Sequence, residues 1–348
     1  MTDFSGLKKS EKTAMKLRAL YNGYGYRPFR MSNFEEYSFY LRNKNFLQSD
    51  KIIAFNDLDG RLMALKPDVT LSIVKNASNG DKFYYTENVY RPASSGKNFK
   101  EVSQTGLEAM GEIDLCAECE VILLACLSLA EIDPSYVIDL SHMGIVDYLK
   151  DRLSEKGDVA GLTEFLSSKN RHDAEKLFGK DELLEAVFDG DVEKAETIAP
   201  ELKPILEELR YVKNFLSARN VKVNIDFSLV NDENYYNGII FRGYVEKVPR
   251  SLLSGGRYDK LMTRFGKDFS GIGFAVYLDE LDVYDERTDC DCDVLLLQGD
   301  ADAETVLGLA DGLRSDGLSV RVERFFRPDI KCGKVLTVKN GKTEVYRA

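Results

Sequence analysis

The sequence predicts an α+β chain that carries a helical insertion and ends in a small α/β unit. Three observations lead there. Strand-like runs fold back in pairs, 52–55 with 61–65 and 83–91 with 99–111, while helical patterns stand between the pairs. Residues 150–215 turn rich in Lys, Glu and Asp, with apolar residues at helical spacing (Leu162, Phe165, Leu166; Leu183, Leu184, Val187) and breaks at Gly190 and Pro200. From about Cys290 a strand, a helix and a second strand are followed by Asn340-Gly341 between two further runs, a two-residue hairpin signal.

Bulk composition narrows the class. At 348 residues, 44% hydrophobic and 30% charged, the chain is an ordinary globular protein of two or three domains. Its net charge of −11 opposes a polyanion, and no long Lys/Arg run offsets it, so nucleic-acid binding is not expected. No apolar run reaches the roughly eighteen residues of a membrane helix, and residues 1–9 lack the apolar core of a signal peptide. Cys116 and Cys119 form a C-x-x-C, but there is no second such pair and the only histidines are His142 and His172. Neither a zinc site nor a cofactor is expected, and the thiols fit a reduced, cytoplasmic protein.

The elements follow in order. Residues 8–25 form a helix through Ala14, Leu17, Leu20 and Tyr21, stopped by Gly23 and Gly25. Asp59-Gly60 turns the first strand pair. Residues 66–70 open a helix with Pro67 near its first position, which puts Asp68 and Thr70 where capping residues belong. Residues 83–91 and 99–111 are strands joined by a loop at 92–98. Because side chains alternate along a strand, Gln104, Gly106 and Glu108 share one face, either a solvated face or a grip for a polar ring such as imidazole. Residues 119–132 read as a buried helix and 136–140 as a strand. His142 is a cap or packing residue, or else a ligand or base. Strand alternation returns at 221–230. Beyond it, Tyr235, Tyr236, Gly255, Gly256, Arg257, Tyr258 and Asp259 read as a small polar pocket on a sheet or as a hairpin with aromatic packing.

The run Leu229-Val-Asn-Asp-Glu-Asn-Tyr-Tyr-Asn237, followed by Gly255-Gly-Arg-Tyr-Asp259, resembles the histidine-specific stretch of histidyl-tRNA synthetases, Leu-Val-Arg-Gly-Leu-Asp-Tyr-Tyr-Asn and Gly-Gly-Arg-Tyr-Asp. The resemblance extends over about residues 8–285, through Lys66-Pro-Asp-Val-Thr70, the hairpin at 83–111 with Gln104-Thr-Gly-Leu-Glu108, and the run 270–281. It implies a class II aminoacyl-tRNA synthetase-like core at 1–285, a mostly antiparallel sheet flanked by helices, with 150–215 as its helical insertion. It also implies a small C-terminal α/β domain at 286–348 in place of a longer anticodon-binding domain. By the same resemblance, Asp68 and Thr70 would hold the α-amine of histidine, Arg91 its carboxylate, and Gln104, Glu108, Tyr235, Tyr236 and Tyr258 the rest of the pocket.

The departures matter as much. Asn231 stands where the synthetases carry a catalytic arginine, Glu280 where an arginine meets ATP, and Ser32-Asn33 where a proline precedes Phe-Glu in the dimer-forming motif. A carboxylate facing a triphosphate is repulsive, and one lost electrostatic stabiliser removes several kcal/mol of transition-state binding. An amino-acid pocket without aminoacylation chemistry is similar to the regulatory-subunit family of ATP phosphoribosyltransferase. That resemblance implies no catalysis by the chain itself, a homodimer within a hetero-oligomer with a short catalytic subunit, L-histidine as ligand, and no tRNA. The rivals are a divergent histidyl-tRNA synthetase or histidine-activating ligase, and a scaffold with a vestigial pocket.

Overall fold

Six antiparallel strands form the middle of an eight-stranded sheet. In the computed structural model, which describes residues 7–47, 51–93, 97–231, 235–283 and 290–346, the sheet order is Arg27–Pro28, Lys82–Pro92, Phe99–Gly111, Ser270–Tyr277, Leu253–Arg257, Ile239–Val245, Tyr136–His142 and Val223–Ile225. Only the two edge pairings are parallel. The sheet is thus mostly antiparallel, as expected. Among the described residues, Thr13–Val283 make one compact unit, and 7–12 with 290–346 make the other.

The helix Leu115–Ala130 packs on one face of this sheet. Asp114 caps it, accepting from the Ala117 N–H at 2.8 Å. Its Leu129 fits over Gly243, where a Cβ would lie 2.4 Å from the leucine. Tyr21, from the first helix Lys9–Gly23, shares a buried hydrogen bond of 2.9 Å with Ser128 of the same packed face. The charged stretch forms Leu162–Ser167, Arg171–Phe178, Glu182–Asp189, Val192–Ile198 and Lys203–Ser217. Asn170, Asp181 and Asp191 each cap one of these helices, and the apolar residues at helical spacing turn inward.

One helix begins later than expected. It runs Thr70–Asn76, so Pro67 does not occupy its first position. The Lys66 N–H donates to the Asn33 carbonyl at 3.0 Å, and the Lys66 carbonyl accepts from the Tyr90 N–H at 3.0 Å. These extended-chain bonds hold residue 66 out of a helix. The cap position falls on Val69 rather than Asp68, although Asp68, one residue earlier, still accepts from the Leu71 N–H at 2.9 Å.

The smaller unit has a four-stranded sheet in the order Val320–Glu323, Cys292–Leu297, Cys332–Lys339, Lys342–Val345. Its helix Ala303–Ser315 buries Val306 and Ala310 against Val294, Leu296, Leu336 and Val338. Asn340 and Gly341 take φ of 48° and 73°, the double left-handed conformation that an Asn-Gly hairpin turn requires. Among the described residues no helix is long and apolar enough to cross a membrane.

Candidate functional site

Small residues in register hollow out the sheet face opposite the helix Leu115–Ala130. Strand pairing sets Tyr85, Gly106, Ala275 and Ser254 in one row and Phe83, Glu108, Gly273 and Gly256 in the next. Neighbours on one face of a sheet stand about 5 Å apart, so a run of Gly, Ala and Ser leaves a depression with larger side chains around it. Asp68, Thr70, Arg91, Gln104, Glu108, Tyr235, Tyr236 and Tyr258 all line this one pocket, together with Tyr85, Asn231 and Tyr277. The strand-face reading of Gln104 and Glu108 therefore holds, and the face is buried rather than solvated.

Glu108 is the centre. It is 2% exposed. Its Oε1 accepts from the Thr70 hydroxyl and its Oε2 from the Tyr258 hydroxyl, both at 2.6 Å. Gly273 makes room for that carboxyl group: a Cβ there would lie 1.8 Å from Oε2. Burial pushes the Glu108 pKa up to about 8 despite the two donors, with the nearby Asp68 charge adding to the rise. Burial likewise holds the hydroxyls of Tyr85, Tyr235, Tyr236 and Tyr258 well above their ordinary value, so they remain donors.

The cationic side is Arg91. Its Nε donates to the Pro67 carbonyl at 2.7 Å, which fixes the guanidinium, and its Nη2 reaches Asp68 Oδ2 at 3.4 Å. That second contact is long for a charge-assisted bond, so a ligand carboxylate can compete for it. Burial raises the Asp68 pKa, opposed by Arg91 and by backbone donors. Gln104 is 3% exposed, and its Oε1 has no hydrogen-bond partner among the described residues. An unpaired buried carbonyl costs about 1–3 kcal/mol, a penalty that a ligand donor would relieve. The rings of Tyr235 and Tyr236 lie 4.7 Å apart, with Tyr258 6.2 Å from Tyr235. Together these groups offer acceptors to an ammonium, a guanidinium to a carboxylate, and a carboxyl group among aromatic rings to a polar ring.

Other residues of the motif lie elsewhere. Arg257 and Asp259 pair at 2.8 Å, but Arg257 turns to the opposite face and meets Glu118 at 2.9 Å. Strand alternation separates it from the pocket side. Gly255 and Gly256 admit protein rather than ligand: a Cβ on the first would strike Gly273 O at 2.4 Å, and one on the second the Tyr236 ring at 2.8 Å. Thr70, expected at the amine beside Asp68, is bonded to Glu108 and so links the two ends of the pocket. His142 is a cap, its Nδ1 accepting from the Gly144 N–H at 3.0 Å. Asp232, Glu233 and Asn234, and residues 94–96 of the hairpin loop, lie outside the described residues. Sequence reasoning missed Gly273 and Ala275. The signal was present in Ser270-Gly-Ile-Gly-Phe-Ala275, where small residues recur every second position on one strand face.

The comparisons with known proteins agree on the lineage. The histidyl-tRNA synthetase family model matches residues 5–281. The chain is 31% identical over 298 residues to the ATP phosphoribosyltransferase regulatory subunit of Clostridium acetobutylicum, covering 76% of this chain and 72% of that protein. The chain belongs to the family of ATP phosphoribosyltransferase regulatory subunits, built on the histidyl-tRNA synthetase fold. Among solved structures it is similar to an ATP phosphoribosyltransferase regulatory subunit/histidyl-tRNA synthetase from Bacillus halodurans, with a TM-score of 0.71 at 24% identity, covering 90% of this chain and 88% of that one. A chain of the ATP phosphoribosyl transferase complex from Thermotoga maritima aligns with a TM-score of 0.62 at 21% identity, covering 79% of this chain and 98% of that one. At these identities the structural likeness carries the fold alone.

Proposed function

We propose that this chain is a non-catalytic subunit that binds L-histidine in the Glu108 pocket, assembles as a homodimer with the short catalytic subunit of ATP phosphoribosyltransferase, activates it, and contributes to histidine feedback inhibition. The observation that carries this reading is the gathering of Asp68, Thr70, Arg91, Gln104, Glu108, Tyr235, Tyr236 and Tyr258 around one buried carboxyl group. The ligand's carboxylate would meet Arg91, its amine Asp68, and its imidazole Glu108 and the tyrosines.

Two ion pairs support loss of aminoacylation. Asp279 takes Lys100 at 3.2 Å and Glu280 takes Arg250 at 3.7 Å, just beyond the pocket residue Tyr277. Carboxylates thus occupy cations at the position where the resemblance places an ATP-binding arginine. With Asn231 in place of a second arginine, the pocket keeps amino-acid recognition without the charges that triphosphate chemistry needs. No tRNA role is part of this reading.

A homodimer is supported by the three-stranded sheet Phe34–Glu36, Leu62–Leu65, Ala54–Asn56. There Phe34, 48% exposed, and Phe55, 37% exposed, share one face with their rings 5.7 Å apart, and exposed large apolar side chains that adjoin mark contact surfaces. The test of the whole reading is an assay of phosphoribosyl transfer by the purified short catalytic subunit. Adding this chain should raise the rate, and histidine should then suppress it. A catalytic subunit indifferent to the chain would overturn the proposal. The family match also keeps a synthetase reading in view, and histidine-dependent pyrophosphate exchange with ATP would favour it.

A further inference from the structure

The smaller unit holds a pair of thiols in register. Cys292 opens one central strand and Cys332 opens its parallel neighbour, and the two are direct cross-strand partners. Both are free thiols. They share one side of the sheet, where partly buried Cys332 packs into the cluster of Cys292, Leu295, Leu297 and Ile330. Neighbouring strands lie about 4.8 Å apart, inside the roughly 4.4–6.8 Å separation of Cα atoms that a disulfide spans.

Two features fix this register. On one side, the Asp291 N–H donates to the Lys331 carbonyl at 2.7 Å and the Lys331 N–H donates to Asp291 Oδ2 at 2.9 Å. On the other, the strands approach so closely that a Cβ at Gly333 would lie 3.0 Å from the Asp293 carbonyl oxygen. The thiols are therefore held side by side rather than brought together by chance motion.

We infer that Cys292 and Cys332 form a reversible cross-strand disulfide by exchange with a low-molecular-weight disulfide, stapling the two central strands of the smaller unit. The more accessible Cys332 acts first. Its thiolate attacks one sulfur of the small disulfide, whose S–S bond breaks, and one small thiolate leaves. Cys292 then gives up its proton and attacks the Cys332 sulfur, forming the protein disulfide and releasing the second small thiolate. Two protein thiols are oxidised, and one small disulfide is reduced to two thiols. Exchange of this kind needs an accessible attacking thiol and a neighbouring one to resolve the adduct.

The test uses the full chain, equilibrated in graded mixtures of reduced and oxidised glutathione, quenched with an alkylating reagent and mapped by mass spectrometry. The expected product is a peptide pair joined through Cys292 and Cys332, leaving four of the six thiols to be alkylated or capped. The link should persist in Cys290→Ser and vanish in Cys332→Ser, which alters a partly exposed position and leaves the fold intact. A glutathione adduct that persists on Cys332, a link through Cys290, or reaction confined to the exposed Cys116 would each overturn the inference.

Discussion

The two ends of the strand pair Phe99–Gly111 and Ser270–Tyr277 treat charge in opposite ways. At one end Glu108 and Asp68 are buried and line a pocket, with Arg91 held by the Pro67 carbonyl at 2.7 Å and facing Asp68 at 3.4 Å. At the other, Lys100 and Arg250 are already taken by Asp279 and Glu280. Both ends stand on the same register, Glu108 opposite Gly273 and Gln104 opposite Tyr277. Under the proposed function, the scaffold keeps recognition of a small zwitterion and loses the neighbouring chemistry through a few changes of sign, because each end depends on local side chains rather than on the sheet.

The largest expected effect lies at the pocket end. Glu108→Ala should weaken histidine binding by roughly 30-fold, about 2 kcal/mol, the scale of leaving a buried polar partner unpaired. Titration calorimetry measures it, and an unchanged affinity would leave the pocket vestigial. Gln104→Leu comes next and separates stability from binding. It replaces the carbonyl that has no hydrogen-bond partner among the described residues, so the ligand-free protein should match or exceed the wild type by up to about 1 kcal/mol while its histidine affinity falls. A loss of stability without loss of affinity would assign Gln104 a purely structural role.

The third prediction concerns pH. The folded-state pKa of Glu108 is raised from 4.5 to about 8. Below pH 4.5 the carboxyl is protonated in both folded and unfolded chains, and its contribution to stability is fully present. Between 4.5 and about 8 the unfolded chain ionises first, so that contribution is lost as pH rises through the folded pKa. Asp68, with its pKa also raised, and Glu208, raised to about 7, titrate in the same direction. The difference between wild type and Glu108→Gln isolates the one group: the variant's melting temperature should depend less on pH across this window. Parallel curves would show that Glu108 stays ionised.

The smallest effect belongs to the other end. Asp279→Asn with Glu280→Gln removes two partly exposed pairs, each worth about 0–1 kcal/mol. Stability should change little and histidine affinity by less than about twofold. A large loss of affinity would mean that the two ends are coupled.

The sequence made part of this legible for definite reasons. Gln104 and Glu108 were readable because a strand alternates its faces, and the tail hairpin because Asn-Gly accepts φ values that few other residues do. The floor of the pocket was not, because Gly273 and Ser254 come from strands paired across more than a hundred residues of chain from Glu108. Local pattern carries no information about which strand lies beside which. For the same reason Arg257 looked like a pocket residue when read next to Tyr258, although its strand places it with Glu118. The start of the helix at Thr70 was set by Tyr90 and Asn33 through the Lys66 backbone, again at long range.

The central claim is that an amino-acid pocket survives here beside a closed nucleotide end. Calorimetric titration of the full chain with L-histidine, and separately with ATP and magnesium, tests it most directly. The account predicts saturable heat with histidine, with an affinity about 30-fold weaker in Glu108→Ala, and none with ATP. Saturable ATP binding accompanied by histidine-dependent pyrophosphate exchange would contradict it.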